Sequence, residues 1–336
     1  MPRIDCFTSA SFAYLDRARI LFETLKRQHP DWCLWLCLVD EEPEGFHFDP
    51  REEVFDRVVR IGELGITDLP RFIFDHDVVE LCTAVKGPML CHLFAEGAEK
   101  VIYLDPDIAV FNSLDPVVGL LDTYDIVLTP HQLQPDETDM AIRDNEICSL
   151  KYGIFNLGFL AVAARAEGLR FAAWWRDRLL AYCFDDLPAG LFTDQKWCDH
   201  VPAMFDQVKV LRDPGYNVAS WNLSRRRILF DESGNLTAGG ALLRFFHFTK
   251  VTWVGEVMLE RYGGRDVVVF ELLRWYREKL REHMVHGLPD GWWAFGKFRD
   301  GTQITRAQRL AFRHDKSLRN AHGDPFASGI TIDARG

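Results

Sequence analysis

Short apolar runs alternate with amphipathic stretches from the beginning of the chain. Ile4–Thr8 is a β-type run, and apolar residues then recur at helical spacing at Leu15, Ala18, Leu21, Phe22 and Leu25. Trp32–Val39 is a continuous apolar run, which is typical of a parallel strand covered on both faces. A strand, a helix and a strand in this order predict a right-handed βαβ unit and therefore an α/β fold.

The same alternation continues along most of the chain. A helical pattern over Leu81–Phe94 leads into the apolar run Val101–Leu104, which ends at Asp105. Residues 41–70 are acidic and interrupted by prolines and glycines, so we expect a surface excursion there. The other predicted strands are Val58–Ile61, Asp125–Leu128, Leu157–Ala163, Val208–Leu211 and Phe245–Phe248, and the other predicted helices are Leu169–Phe184 and Val267–Met284.

Composition indicates a globular protein, since 48% of the 336 residues are hydrophobic and 26% are charged. The formal net charge is 39 − 50 = −11 and no long basic run occurs, which argues against nucleic acid as a partner. The cysteines form no CxxC pair, the first residues resemble a strand instead of a signal peptide, and no apolar stretch approaches the roughly 18 residues of a membrane span. We expect a cytoplasmic protein without a transmembrane segment, for which peripheral membrane contact stays open.

Two aspartates, Asp105 and Asp107, follow the apolar run Val101–Leu104 directly. Ligands of open α/β sheets bind outside the carboxyl ends of the strands, and paired carboxylates suit Mg²⁺ or Mn²⁺. Residues at i and i+2 of a strand point the same way, and Pro106 between them stiffens the turn. A metal site is one interpretation of this common pattern, and an acidic turn at a strand end is the other.

Five segments in order along the chain resemble the donor site of a known enzyme family. They are Ala84–Met89, Lys100–Ile108, Phe155–Phe159, Thr193–Trp197 and Phe245–Lys250. Together they resemble retaining glycosyltransferases related to glycogenin and to the bacterial family 8 galactosyltransferases. Five matches in one order are far more specific than any one of them.

This resemblance implies a GT-A fold, with a mixed, mostly parallel central sheet flanked by helices, in a catalytic domain over residues 1–254. The N-terminal half of that domain would bind the nucleotide sugar, and residues 255–336 would form a helical and irregular C-terminal extension. The implied reaction moves a hexose from a nucleotide-diphosphate sugar, in this family a UDP-sugar, to a glycan, lipid-linked, protein or other hydroxyl acceptor. The implied stereochemistry is retention.

The resemblance also implies a metal and diphosphate site. Asp105, Asp107 and His247 would bind Mn²⁺ or Mg²⁺, although a histidine beside phenylalanines on an apolar strand is otherwise more often a hydrogen-bonded core residue. Lys86 would contact the donor diphosphate, since a lysine at the start of a helix opposes the helix dipole unless an anion is bound. The alternative for Lys86 is an exposed surface lysine. Lys250 would also contact the diphosphate, but the glycine-containing loop that precedes it in the family is absent here.

The nucleoside end of the donor is assigned to the first strand and helix. Phe7, Thr8, Ser9 and Tyr14 lie where similar enzymes hold uracil and ribose, with an aromatic ring stacked on the base. The alternative is that Tyr14 packs within the first helix. Pro106 belongs to the same implied donor site.

The sugar end of the donor is assigned to two later motifs. Asn156 would bond sugar or acceptor hydroxyls and Gly158 would let the backbone approach the ligand, although ordinary turn chemistry also explains both residues. Asp194 would bind sugar hydroxyls, and Gln195 would face the side of the sugar opposite the leaving group. A helix N-cap is the alternative for Asp194. A double displacement would need a carboxylate nucleophile, for which Asp194 is the motif-linked candidate.

Residues 215–227 form a predicted loop on the acceptor side, with amides and aromatic rings that suit sugars and three arginines that suit phosphate or acidic sugars. A solvated basic loop is the alternative. Trp292 and Trp293 are expected to cover the sheet. A nucleotidyltransferase is disfavoured because the turn after the first strand is not glycine-rich and basic, whereas a non-catalytic sugar-nucleotide or partner-binding protein of the same fold stays open.

Overall fold

A computed structural model describes residues 3–249, 254–264, 267–321 and 323–327. Lys250, a predicted diphosphate contact, lies outside the described residues. The strands are β1 Ile4–Ala10, β2 Cys33–Leu38, β3 Arg57–Arg60, β4 Lys100–Leu104, β5 Ile108–Val110, β6 Ile126–Pro130, β7 Phe155–Ala163, β8 Asp185–Asp186, β9 Leu191–Phe192, β10 Val208–Val210, β11 Val218–Ala219, β12 Ile228–Phe230, β13 Leu236–Ala238, β14 Ala241–Leu242 and β15 Phe245–His247. The α-helices are α1 Leu15–Gln28, α2 Leu69–Asp75, α3 Val78–Ala84, α4 Lys86–Ala95, α5 Asp115–Leu120, α6 Asp139–Ala141, α7 Cys148–Tyr152, α8 Ala166–Tyr182, α9 Val201–Met204, α10 Val254–Gly263, α11 Val267–Glu282, α12 Arg306–His314 and α13 Lys316–Ala321.

The central sheet has seven strands in the order β10-β6-β7-β4-β1-β2-β3. β7 runs antiparallel to its neighbours β4 and β6, and the other pairs are parallel. Every residue of β4 and β7 is buried, because separate hydrophobic clusters cover the two faces of the sheet. The predicted fold class, a mixed, mostly parallel sheet flanked by helices with a helical C-terminal extension, is therefore confirmed.

A second sheet of order β11-β15-β5 lies next to the end of β4. β5 follows Asp107 directly and pairs antiparallel with β15, so that His247 lies opposite Ile108. β11 pairs parallel with the other side of β15 and sets Ala219 opposite His247. This small sheet brings the last predicted motif of the catalytic domain to the two aspartates.

Each predicted strand is present with its ends within two residues of the prediction. The predicted helix Leu81–Phe94 was wrong in its bounds, since the structure has the two helices α3 and α4. α3 begins earlier because the side chain of Asp77 accepts hydrogen bonds from the N–H groups of Val79 and Glu80. Pro88 has no N–H to continue the helical hydrogen bonds across the junction.

The stretch Val78–Ala95, which spans α3 and α4, is 18 residues long and has a mean hydropathy of 1.3. Both values are high enough for a membrane span. The expectation that no apolar stretch approaches that length was therefore wrong. Some 56% of the stretch is buried within the protein, and its charged residues Glu80 and Lys86 are buried too. A Cβ on Gly87 would lie 2.7 Å from the backbone of Arg176 on α8. This close contact between helices is what a core helix of a globular fold requires.

The C-terminal residues pack against both faces of the molecule. Tyr276 of α11 stacks on Phe248 with 4.0 Å between the ring centroids. Trp292 and Trp293 are partly buried, each against a different hydrophobic cluster of the central sheet, so they cover the sheet as expected. The division at residue 254 stays a prediction.

Arg309 of α12 anchors the C-terminal helices, since its buried guanidinium donates to the carbonyls of Phe74 and His76 at 2.8 Å each. Arg309→Met leaves these buried carbonyls without a donor, and we expect the free energy of unfolding to fall by about 3 kcal/mol in urea denaturation. The matched control is Arg299→Met, whose side chain is 73% exposed and should change stability by less than about 0.5 kcal/mol. Equal stability of the two variants would contradict the anchoring role.

Candidate metal and donor site

The three side chains that were predicted to bind one metal ion are adjacent at the carboxyl end of β4. Nε2 of His247 lies 2.9 Å from Oδ1 of Asp107 and 3.6 Å from Oδ2 of Asp105. One ligand atom from each of the three residues lies within 4.8 Å of the others. The backbone fixes both aspartates, because the N–H of Asp105 donates to the carbonyl of Gly158 and the N–H of Phe248 donates to the carbonyl of Asp107, each at 2.8 Å.

These residues fit a divalent metal ion. Mg²⁺ binds its ligands at about 2.0–2.1 Å, so two ligands on one ion lie roughly 3 to 4 Å apart. The distances from His247 Nε2 to the two carboxylates fall in that range. Two carboxylates with one imidazole are a donor set for Mn²⁺ or Mg²⁺. The alternative interpretation, an acidic turn at a strand end, does not explain why a buried histidine lies beside the two aspartates.

Electrostatics hold the triad together. Burial lowers the pKa of His247, but the carboxylates of Asp107 and Asp105 raise it, and the net pKa is above the ordinary value. Burial raises the pKa of Asp107, but His247 and then Arg17 lower it, and the net pKa is below the ordinary value. Each member of the pair therefore favours the charged form of the other, and a bound metal ion would take the place of a proton on the imidazole.

Gly158 makes room for the imidazole of His247. A Cβ at this position would lie 2.4 Å from Cε1 and 2.7 Å from Nδ1 of His247, and 2.8 Å from Oδ1 of Asn156. Gly158 was predicted to let a ligand approach the backbone closely. In the structure the group that lies closest to it is the imidazole of His247.

Lys86 is buried between the metal site and the second predicted motif. Its Nζ lies 2.8 Å from Oδ2 of Asp194, and it donates to Oδ1 of Asp105 at 3.2 Å and to the carbonyl of Leu157 at 3.1 Å. Burial lowers the pKa of the ammonium, and the two aspartates raise it well above the ordinary value. With 2% exposure, Lys86 is not the surface lysine of the alternative interpretation. Its position at the start of α4 is stabilised by protein carboxylates.

Asp194 and Gln195 are both buried beside this lysine. Thr193, with a φ of +43°, donates to Oδ1 of Asp194 at 3.1 Å. The N-cap residue of the following 3-10 helix is Gln195, whose side chain makes no capping hydrogen bond. The interpretation of Asp194 as the N-cap residue was therefore wrong. The amide oxygen of Gln195 accepts from the N–H of Leu157 at 3.3 Å, and its nitrogen donates to the carbonyl of Tyr152 at 3.1 Å.

Asn156 is the centre of a buried amide network. Its Oδ1 accepts from the N–H of Gly158 at 3.1 Å and from Nδ2 of Asn217 at 2.9 Å, while its Nδ2 contacts Nε2 of His131 at 3.2 Å. Asn217 has a φ of +50° and also donates to Thr129 at 2.9 Å. These bonds use both ends of the Asn156 amide, so Asn156 is placed to position Gly158.

His131 and Asn217 were missed by the sequence analysis. The signal for His131 was present, because it directly follows β6 and the carboxyl ends of the strands were already expected to form the site. Asn217 carried no signal of its own within the predicted acceptor loop. Both residues act on the site through Asn156.

The predicted nucleoside residues are divided between the core and the surface. Phe7 and Thr8 are buried in β1, and the ring of Phe7 packs on Tyr103 at 4.9 Å. Ser9 donates to the carbonyl of Cys82 at 2.7 Å. The side chain of Phe7 is therefore a core residue and is not free to meet a nucleotide. Tyr14 is 45% exposed and its ring centroid lies 4.3 Å from the guanidinium of Arg17 in the first helix, so it contacts that helix and also presents surface to solvent.

The predicted acceptor loop does not present three arginines together. Arg226 is buried and donates to the carbonyl of Tyr216 at 2.8 Å, whereas Arg225 pairs with Glu137 at 2.8 Å and Arg227 is exposed. From this segment it is the indole of Trp221 that lies beside the metal site, with its ring centroid 5.2 Å from that of His247. Its buried indole N–H has no hydrogen-bond partner among the described residues.

The neutral state of His131 predicts a pH dependence of stability. Burial lowers its pKa to about 4, against an unfolded value of about 6.5, so the unfolded chain binds a proton before the folded protein does. The stabilisation is complete above pH 6.5 and is lost as the pH falls toward 4. His131→Asn should flatten the slope of unfolding free energy against pH by up to about 1.4 kcal/mol per pH unit in this window. Parallel slopes in urea denaturation from pH 4.5 to 7 would contradict this.

Comparison with known proteins gives distant matches. No protein-family model matches the sequence. The chain is 23% identical over 266 residues to "Uncharacterized protein YfnF" of Bacillus subtilis (strain 168), covering 74% of this chain and 84% of that protein. It is 24% identical over 254 residues to "Uncharacterized protein YfnD" of the same organism, covering 74% of this chain and 78% of that protein.

Solved structures similar to this chain include three glycosyltransferases. The galactosyltransferase LgtC, in complex with donor and acceptor sugar analogs, is 14% identical, with 86% of this chain and 98% of that chain covered and a TM-score of 0.48. Mouse xyloside xylosyltransferase 1 is 14% identical, with 75% of this chain and 99% of that chain covered and a TM-score of 0.42. GlyE of Streptococcus pneumoniae TIGR4 is 16% identical, with 83% of this chain and 64% of that chain covered and a TM-score of 0.41. None of these similarities is high enough to show a family or an activity.

Proposed function

We propose that this protein is a metal-dependent glycosyltransferase of the GT-A type that uses a nucleotide-diphosphate sugar, in the first instance a UDP-sugar, as donor. The observation that carries the proposal is the convergence of Asp105, Asp107 and His247, whose ligand atoms lie within 4.8 Å of one another at the carboxyl edge of the central sheet. Bound Mn²⁺ or Mg²⁺ would stabilise the negative charge of the departing diphosphate.

The buried cation and carboxylate beside the triad support a role in sugar transfer. Breaking the bond between the anomeric carbon and the phosphate oxygen builds positive charge on the sugar, and Asp194 is the buried carboxylate that can face it. Lys86 holds this carboxylate in place at 2.8 Å and neutralises it before the donor arrives. Such preorganised charges need little rearrangement during the reaction.

Retention of configuration is the proposed stereochemistry. Gln195 is held by Leu157 and Tyr152 through both ends of its amide, which suits an orienting role better than attack on the sugar. An acceptor hydroxyl would enter from the side of Trp221, whose ring centroid lies 5.2 Å from that of His247. Proton nuclear magnetic resonance of the transferred sugar decides the matter, because an inverted anomer would remove the role given to Gln195.

Thermal denaturation with a panel of nucleotide sugars tests the proposal at the level of binding. We expect one donor to raise the melting temperature only when Mn²⁺ or Mg²⁺ is present, since a ligand that binds the folded state stabilises it. A donor that binds but is never cleaved would favour the alternative of a non-catalytic sugar-nucleotide-binding protein. No response to any donor with either metal would contradict both.

A further inference from the structure

The ammonium group of Lys86 is enclosed by protein groups and has little surface to offer a ligand. An ammonium carries three N–H groups. The Nζ of Lys86 donates to Oδ1 of Asp105 at 3.2 Å and to the carbonyl of Leu157 at 3.1 Å, it forms an ion pair with Oδ2 of Asp194 at 2.8 Å, and the side chain is 3% exposed. A phosphate could reach Lys86 only by breaking one of these buried contacts. A diphosphate bound beside the two metal-site aspartates would therefore meet a different cation among the described residues, which leave out the other predicted diphosphate contact, Lys250.

Arg17 has unused donors at the surface of the same region. It lies in the first turn of α1, and its guanidinium lies 4.3 Å from the ring centroid of Tyr14. Its Nη1 donates to the two carboxylate oxygens of Asp16 at 2.9 and 3.3 Å. Among the described residues, no side-chain or carbonyl oxygen accepts from its Nε or Nη2. The planar fork of arginine matches the oxygens of a phosphate.

The packing of α1 places Arg17 at the level of Asp107. Ile20, one turn after Arg17 on the same helix face, packs in one buried cluster with Ala109 and Phe248. One turn further, the hydroxyl of Thr24 accepts from the N–H of Val110 at 3.0 Å.

From Arg17 to Thr24 the helix rises about 10 Å, and from Asp107 to Val110 a strand covers about the same length. The two backbone segments therefore run side by side, and Arg17 is at the level of Asp107 along them.

We infer that Arg17, and not Lys86, is a cation that binds the diphosphate of the nucleotide donor, with the ring of Tyr14 supporting its guanidinium. This inference rests on the proposed function. It makes Lys86 an internal counter-ion that positions Asp194 and Asp105, and it makes the first turn of α1 the part of the site that distinguishes a nucleoside diphosphate from an uncharged nucleoside.

Calorimetric titration of the full chain with UDP and with inorganic pyrophosphate, both at saturating Mn²⁺, tests the inference. Arg17→Ala should weaken the binding of both ligands at least about tenfold, since hydrogen bonds to charged groups are strong. Arg17→Lys keeps the charge but loses the fork, and its affinity should lie between those of the wild type and Arg17→Ala. The matched control is Arg27→Ala at the other end of α1, where an exposed arginine pairs with Glu23; it should bind both ligands like the wild type.

Failure of the inference can be distinguished from failure of the proposed function. If the wild type binds UDP and Arg17→Ala binds it equally well, Arg17 is not the diphosphate ligand, and the proposed function is unaffected. If the wild type binds none of UDP, GDP, ADP, CDP and dTDP with Mn²⁺, the proposed function fails and this inference with it. Melting temperatures of the variants within a degree or so of the wild type exclude loss of folding as the cause of weaker binding.

Discussion

Replacing Asp107 by asparagine is expected to reduce cleavage of the nucleotide-sugar donor about a thousandfold or more. The substitution keeps the shape of the side chain but removes the negative charge that lies 2.9 Å from Nε2 of His247. A metal ion contributes several kcal/mol of charge stabilisation to such a reaction, and each 1.36 kcal/mol corresponds to about a factor of ten in rate. Release of nucleoside diphosphate in the presence of Mn²⁺ measures the loss.

A matched surface substitution separates the effect of the site from the effect of total charge. Asp139→Asn removes the same charge from a side chain that is 82% exposed and is paired with Arg143 at the surface. It should cleave donor at the wild-type rate. If Asp107→Asn also retains the wild-type rate and the wild-type affinity for Mn²⁺, the metal site is not where we locate it.

Gly158→Ala should disable the site although it removes no functional group. The added Cβ would lie 2.4 Å from Cε1 of His247, so the imidazole or the strand must move. We expect Mn²⁺ affinity to fall about 10- to 100-fold, the loss typical when the support of a metal ligand is disturbed. Overpacking should also lower the free energy of unfolding by about 1–3 kcal/mol. Titration with Mn²⁺ followed by electron paramagnetic resonance measures the first effect, and urea denaturation measures the second.

Gly119 on α5 provides the control for this substitution. Nothing lies within 4 Å of a Cβ built at Gly119, and its φ is not positive. Gly119→Ala should leave Mn²⁺ affinity unchanged and should leave stability unchanged or raise it by up to about 1 kcal/mol. If both alanine variants bind Mn²⁺ like the wild type, Gly158 has no part in positioning His247.

The central sheet could be predicted from the sequence because its strands are buried on both faces. Runs such as Trp32–Val39 and Val101–Leu104 are apolar without interruption, and helical patterns lie between such runs, an alternation that is typical of a parallel sheet covered by helices. The triad of Asp105, Asp107 and His247 was also predicted, but by resemblance, since no local pattern connects residues so far apart in the chain.

The connections around the site could not be predicted, because they depend on partners that only the fold brings together. Lys86 was expected to face an anionic ligand, and its partners Asp194 and Leu157 become neighbours only through the packing of α4 against the sheet. Gly158 was correctly selected for close approach, but its neighbour, the ring of His247, comes from a strand that pairs with β5. Local sequence indicates that space is required and does not indicate what occupies it.

The C-terminal helices α12 and α13 were missed for a similar reason. Residues 255–336 were expected to be helical and irregular, but the predicted helix in this part was Val267–Met284, and no helix was assigned to the aromatic and basic sequence after residue 285. In the structure Arg309 binds carbonyls at the end of α2, and Phe312 packs on Phe74 with ring centroids 4.9 Å apart. These contacts with the rest of the chain add to the capping box between Thr305 and Gln308 in stabilising α12.

The most direct measurement of the central claim is the metal dependence of donor cleavage by the wild-type chain. Each of a panel of nucleotide sugars is incubated with the protein and Mn²⁺ in the absence of acceptor, and nucleoside diphosphate is measured over hours. We predict slow release from one donor class that stops when EDTA is added and returns when Mn²⁺ is restored. Release that continues at the same rate in EDTA, or no release from any donor with Mn²⁺ or Mg²⁺, would contradict a metal-dependent glycosyltransferase.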